Sequence, residues 1–369
     1  MKSGVETALS LKLLAKLGTI NIAAQPKDAL LYIDGRLMGR ASQEITLPAK
    51  EHQVLIQKEG YVDYKAKILP RPGLSQVLQA SLKTVEQVKW EKTPEYTKTS
   101  NGHIIKLFKP DGAFTMGTSR REAGRRANEV QRTVSLSRPF YLSTTLVSNR
   151  LFRQFSSQHS SSHYKGVSLD SENYPAVNVT WHNAALYCNW LSERENLRPF
   201  YSFPENAPVE FNPESTGYRL PTEAEWAWIA RVNTGTKLLK YPWGHQLPPK
   251  PKSGNYADLN AVNLLGQVFM QYDDKYPATS PVAVYPANQK GIFDIGGNAS
   301  EWIHDYYEMK TGLALKTEND PVGPLTGDYH VIRGSSWMHS NKVDLRLSFR
   351  DYGVEQRKDL GFRIARWVE

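Results

Sequence analysis

The sequence predicts an irregular α+β domain with few helices and short strands, preceded by a small all-β domain. Three observations carry this. Residues 18–84 alternate apolar and polar side chains in short runs broken by turn residues. From about residue 106 onward, strand-like runs are separated by Gly, Asn and Pro, and only three segments show helical periodicity. Eight of the nine tryptophans lie beyond residue 180, which places one aromatic-rich core in that part of the chain.

In order, residues 1–17 read as an amphipathic leader. Lys12 and Lys16 interrupt its apolar positions, so it is too polar for a membrane span or a signal-peptide core. Strands are expected at 19–22, 30–33, 37–40, 44–47, 52–58 and 77–82. Asp34-Gly35 is a two-residue hairpin signal, because a turn of that type needs positive φ and Gly supplies it. Residues 85–105 are polar without a sustained period and read as a linker or leading strand. Beyond them, 106–369 form the large domain. Helices are expected over 149–158, with Leu151, Phe152 and Phe155 on one face, and over 180–195, where Ala184, Ala185, Cys188, Trp190 and Leu191 repeat at three and four. A third begins at Thr222, whose Thr222-Glu223-Ala224-Glu225 is a capping box.

Composition excludes several classes. Of 369 residues only Cys188 is a cysteine, so an intramolecular disulfide framework, a cysteine-based zinc cluster and a two-cysteine redox motif are ruled out. On its apolar helical face Cys188 reads as a packing residue. The net charge of +9 comes without a run of like charges or a recognition motif. It reads as a solvated surface, and no nucleic-acid partner is expected. The densest basic stretch, Arg120, Arg121, Arg125 and Arg126, is diluted by Glu122 and Glu129 and reads as a loop.

Residues 18–84 resemble the PEGA domain in their Pro-x-Asp-Ala segment (Pro26–Ala29), the Tyr32-x-Asp34-Gly35 turn and the Lys58-x-Gly60-Tyr61 close. The resemblance implies a surface-associated binding or spacer module. Residues 106–369 resemble the formylglycine-generating enzyme (sulfatase-modifying factor) family, a variant of the C-type lectin fold. The matches run in order: Phe114-Thr-Met-Gly117, Pro139-Phe-Tyr-Leu142, Pro175–Trp181, Tyr218-Arg-Leu-Pro-Thr-Glu-Ala-Glu-Trp226, Tyr241-Pro-Trp-Gly244, Gly296-Gly-Asn298 with Glu301-Trp302, Val331–Trp337 and Gly361-Phe-Arg363. Arg219 and Arg363 read as buried partners of carboxylates or carbonyls.

In that family a cysteine pair five positions apart binds copper and activates oxygen. His339 and Asp344 stand at those positions here. Neither is a thiol, so formylglycine generation by that mechanism is not expected, and no copper either. The related sulfoxide synthases hold iron on a three-histidine motif in an N-terminal helical domain, for which this β-rich N-terminus offers only His52. His159 and His163 read as loop residues.

The resemblance also implies structural calcium. One site would use Asp294, the Gly297 and Ala299 carbonyls and Glu301. The other would use Asp258, the Leu259 carbonyl, Asp274 and the Tyr276 carbonyl. The leading functional expectation is a non-catalytic binding protein for a protein, peptide or glycan ligand. Its recognition face would comprise Trp302, Trp337, His339, Asp344, Arg346 and Arg350, the tryptophans reading as core first and ligand platforms second and the two arginines having packing of the last strands as their other reading. One rival is a divergent metal-dependent oxidoreductase built on His339. The other is an envelope scaffold acting through the PEGA-like unit, tethered to a membrane in a longer parent chain. A periplasmic or cell-envelope setting is favoured over the cytoplasm.

Overall fold

The computed structural model describes residues 16–205, 207–233, 238–310 and 316–368. The chain divides into two compact units, one ending at Pro94 and the other starting at Glu95. Of the expected leader, residues 1–17, positions 1–15 lie outside the described residues. Its last position, Leu17, already opens the first strand. No described helix is long and apolar enough to cross a membrane.

The first unit contains β1 (Leu17–Gln25), β2 (Leu30–Ile33), β3 (Arg36–Arg40), β4 (Gln43–Pro48), β5 (His52–Gln57), β6 (Tyr64–Ile68) and β7 (Ser75–Ser81). These form two sheets, ordered β4-β1-β7 and β3-β2-β5-β6. Alternate residues of β1, β2, β4 and β5 point inward, so Ile20, Ile22, Leu31, Ile33, Ile45, Val54 and Ile56 make one core between the sheets. Asp34 and Gly35 both have positive φ, 48° and 81°, as the hairpin requires. The Asp34 carboxylate then caps the neighbouring strand: Oδ1 accepts the Gln53 N–H at 2.9 Å, and Oδ2 lies 2.7 Å from Nδ1 of the buried His52.

Two elements depart from expectation. β6 has only half-buried and exposed residues, with Lys65 and Lys67 outward, so its apolar signal is weak. Val85–Lys92, expected to be linker, is a helix, α1. Thr84 accepts the Gln87 N–H while the Gln87 side chain accepts the Thr84 N–H. This capping box stabilises a helix that buries no residue and therefore carries no apolar stripe.

The second unit is built from β8 (Tyr96–Lys98), β9 (Ile104–Phe108), β10 (Ala113–Met116), β11 (Arg132–Ser135), β12 (Phe140–Ser143), α2 (Asn149–Phe152), α3 (Trp181–Arg194), α4 (Glu223–Arg231), β13 (Ser300–Tyr306), β14 (His330–Arg333), β15 (Asp351–Gly353), β16 (Leu360–Gly361) and β17 (Ala365–Trp367), with two-residue strands between. One sheet runs β17-β12-β9-β8 and another β15-β14-β13-β16. α2 ends after one turn rather than reaching residue 158. Its stripe is nonetheless used, because Phe152 stacks on Tyr187 of α3 and Phe155 meets that ring edge-on. α4 starts at the expected box: Thr222 accepts the Glu225 N–H and Glu225 accepts the Thr222 N–H. Trp226, Trp302, Trp337, Tyr187 and Tyr218 are fully buried, together with four arginines, Arg219, Arg333, Arg346 and Arg363.

Candidate functional site

Those arginines explain how so many loops hold one shape. A buried guanidinium is costly unless carboxylates or carbonyls take up its N–H groups. Arg219 forms a bidentate pair with Glu225 at 2.7 and 2.6 Å and also donates to the Leu220 carbonyl. Arg363 meets Glu301 at 2.5 and 3.0 Å and reaches the Ser143 and Phe293 carbonyls. Arg333 donates to the carbonyls of Leu347, Ser348 and Phe349. Each guanidinium thus ties two or more segments together.

The turn after β14 carries the two positions that bear thiols in the family the sequence resembles. His339 is half-buried there, with Nδ1 accepting the Ser336 N–H at 2.9 Å. A nitrogen that accepts from a backbone N–H carries no proton, so the neutral imidazole has its hydrogen on Nε2. Burial, against the pull of Asp359 and Asp344, pushes this imidazole below its ordinary value. The Ser336 hydroxyl donates to Asp359 at 2.7 Å, and Arg357 clamps the same carboxylate at 2.9 and 3.0 Å. Burial works to raise Asp359, yet Arg357 holds it below the usual range. Asp344 accepts from the Asn341 amide and pairs with Arg126 at 3.5 Å. The remaining thiol, Cys188, is fully buried in α3, where desolvation pushes it far up and leaves it inert.

The expected recognition face is corrected at four of its six positions. Trp302 and Trp337 are fully enclosed, with their indole N–H groups donating to the Val179 and Lys358 carbonyls. Arg346 is enclosed too, both nitrogens paired with Glu129 at 2.6 Å. Arg350 meets Glu223 at 2.6 and 2.9 Å. These side chains hold the domain together, as the packing alternative for the two arginines supposes. His339 and Asp344 alone of the six remain partly accessible.

The two calcium loops differ. Asp258 and Asp274 are both buried, and Asp258 Oδ2 accepts the Asp274 N–H at 2.6 Å. Burial, with Asp258 adding, raises the Asp274 carboxyl to about 8, although it accepts the N–H groups of Tyr256 and Tyr276. Among the described residues no cation pairs with either carboxylate, so this pair fits a divalent ion bound through hard oxygens. The Leu259 and Tyr276 carbonyls lie on the same two turns. In the other loop Asp294 accepts the Ala283 N–H, and burial raises it to about 6. Glu301, however, commits both oxygens to Arg363, leaving Asp294 with the Gly297 and Ala299 carbonyls. That carboxylate pair could not be foreseen as spent, because Arg363 lies 62 positions away in sequence. Among the described residues no group of three His, Cys, Asp or Glu side chains is placed to hold a metal.

Sequence reasoning missed a polar cavity of about 320 Å³ lined by Arg132, Glu223, Asp305, Lys310, Glu318 and Arg350, with Pro321–Pro324 as its wall. Arg350, Arg132 and Arg333 hold Glu223 down at about 2 against the effect of burial. Asp305 accepts the Glu223 N–H at 2.8 Å, and burial, then the Glu223 charge, raises it to about 7. Nothing in the spacing of these residues signals their convergence.

The scaffold is a loop-rich α+β domain locked by buried arginines, following a two-sheet β unit in the sequence, with no thiol at the open turn. Residues 89–368 match the sulfatase-modifying factor enzyme 1-like domain and residues 17–86 the PEGA domain. The chain belongs to the sulfatase-modifying factor enzyme family. It is 29% identical to the formylglycine-generating enzyme of Mus musculus over 201 residues, which is 53% of this chain and 45% of that protein. The formylglycine-generating enzyme of Thermomonospora curvata is 30% identical over 174 residues, 46% of each chain. A serine/threonine-protein kinase, pkn1 of Chlamydia caviae, is 32% identical over 199 residues, 53% of this chain and 24% of the kinase. The chain spans about half the length of the curated formylglycine-generating enzymes it matches. Among solved structures, Treponema denticola variable protein 1 superposes with a TM-score of 0.55 at 26% identity, over 74% of this chain and 99% of that one. PvdO from Pseudomonas aeruginosa has the same TM-score at 21% identity, over 75% and 100%, which speaks for the fold alone.

Proposed function

We propose that this chain is a non-catalytic recognition member of its family. The observation that carries the reading is the hydrogen bond from the Ser336 N–H to His339 Nδ1. A metal-bound histidine ordinarily donates its second nitrogen to a carboxylate or carbonyl, which frees the first nitrogen's lone pair. Here Nδ1 is the acceptor, so the hydrogen sits on Nε2 and the ring offers no lone pair outward. Asp344 has both oxygens engaged, Oδ2 by the Asn341 amide and Oδ1 by Arg126. Soft-metal and thiol chemistry therefore lacks its donors at this turn.

Calcium belongs to the same proposal as a structural ion. Asp258 and Asp274, with the Leu259 and Tyr276 carbonyls, would hold it and pin two loops. At Asp294 it would compete for a Glu301 that Arg363 engages. The PEGA match supports a surface-associated setting at the cell envelope.

Metal analysis of the purified chain tests the reading. Calcium without stoichiometric iron or copper is the expected result, with no conversion when a cysteine-containing sulfatase peptide is incubated with the copper-loaded chain. Stoichiometric iron or copper that disappears in His339→Ala would replace it with a divergent oxidoreductase.

A further inference from the structure

The loop between β10 and β11 changes character once its partners are known. In sequence, Glu122 and Glu129 dilute Arg120, Arg121, Arg125 and Arg126. In the fold both glutamates turn inward. Glu129 is fully buried and gives both oxygens to Arg346, and Glu122 accepts from the same guanidinium at 3.1 Å and from the Thr118 hydroxyl at 2.7 Å. Arg346 also donates to the Gly124 carbonyl. One buried cation thus consumes the loop's acidic charge and fixes its backbone.

The arginines are left outside. Arg120 and Arg121 are exposed, and among the described residues no carboxylate pairs with them or with Arg125, whose Nε donates to the Thr118 carbonyl. Arg126 lies over the Phe349 ring at 4.6 Å with half of its side chain in solvent. Gly124 seats the loop on the turn carrying Lys342 and Val343, since a Cβ added there would lie 3.3 Å from Val343. Lys342 adds a further exposed cation, and Asp344 on that turn is paired with Arg126.

We infer that this surface docks an extended acidic segment of a polypeptide partner, beside the open turn of His339 and Asp344. The inference rests on the recognition reading of that turn and names the chemistry recognised. Guanidinium forks match carboxylates two hydrogen bonds at a time, and the loop holds those of Arg120, Arg121 and Arg125 without a carboxylate partner among the described residues. A nucleic acid fits less well. Its backbone affinity grows with the number of phosphates neutralised along the strand, and one short loop offers few cations for that. The neighbouring half-buried Val343 favours a polypeptide, whose side chains can use an apolar contact.

The test uses the full chain and a fluorescein-labelled peptide of about ten Asp and Glu residues, followed by anisotropy. Binding at low salt is expected. Raising NaCl to about 0.5 M should weaken it, and R120E/R121E should weaken it by about tenfold or more. Both replaced side chains are exposed and unpaired, so an unchanged thermal melt of the variant is part of the expectation. No binding by the unmodified chain, equal binding by the variant, or equally tight binding of a single-stranded oligodeoxynucleotide of the same charge would each overturn the inference. The two readings fail separately. A chain that converts the cysteine peptide but keeps arginine-dependent binding loses only the non-catalytic reading. A chain that is inert in the metal assays and indifferent to the acidic peptide loses only this one.

Discussion

Arg363 and Glu301, 62 positions apart, close a bidentate pair in which neither side chain reaches solvent. Removing one partner strands the other as a buried charge, whereas removing both leaves only volume to fill. Glu301→Ala and Arg363→Ala are each expected to cost about 3–5 kcal/mol in urea unfolding. Glu301→Leu with Arg363→Met is expected to cost clearly less than the sum. Strict additivity of the single losses would show that the pair is not the unit of stability.

The first unit offers a test that separates strain from crowding. Gly35 has φ +81° with open space around its missing Cβ, so Gly35→Ala pays only for the left-handed backbone, about 1–2 kcal/mol. Gly18 has no such φ, but a Cβ there would sit 2.7 Å from the Arg71 amide nitrogen. Gly18→Ala must push β1 away from the segment before β7, and its loss should exceed that of Gly35→Ala. Thermal melts of both variants in the intact chain give the comparison, and the reverse order would contradict the contact geometry.

These cases mark what a sequence discloses. The Asp34-Gly35 hairpin and the Thr222 box were legible because each is decided within four residues. α1 was hidden because its box was present but its apolar stripe was not. Arg219 and Arg363 could be read as buried partners from their motif setting. For Trp302, Trp337, Arg346 and Arg350 packing is one of two readings, and only the fold chooses it, since segments up to about two hundred residues apart meet there. The charge of the Arg120–Arg126 loop was misjudged for the same reason: only the fold shows that Arg346 removes its glutamates.

The carboxylate pair Asp258 and Asp274 predicts a metal effect. Their mutual repulsion in a buried setting is relieved by a dication, so added calcium should raise the melting temperature and EDTA should lower it. At a hundredfold excess over Kd the gain is about 2.7 kcal/mol. Asp274→Asn removes one ligand charge and should abolish most of the calcium response. Because the neutral amide it introduces no longer repels Asp258, the variant should lose little stability in EDTA. A full calcium response in that variant would move the ion to another loop.

Asp305 predicts a pH dependence whose sign is fixed by its surroundings. Burial, then the Glu223 charge, raises its carboxyl from 3.8 to about 7, so the folded chain holds a proton that the unfolded chain has released. The favourable contribution is complete below about 4 and is lost as pH rises through about 7. Its ceiling is on the order of 4 kcal/mol, at about 1.4 kcal/mol for each unit. His103 and His330 act in the opposite sense. Burial lowers each to about 3, so they cost stability as pH falls below 6.5. The raw pH profile mixes both signs, and the difference between the chain and Asp305→Asn isolates one. The side-chain amide of that variant still offers an oxygen to the Glu223 N–H, keeping the start of α4 capped. From pH 4 to pH 7 the unmodified chain should therefore lose stability relative to Asp305→Asn in chemical denaturation. A difference that stays flat across that interval would place the Asp305 carboxyl at its ordinary value and in contact with solvent.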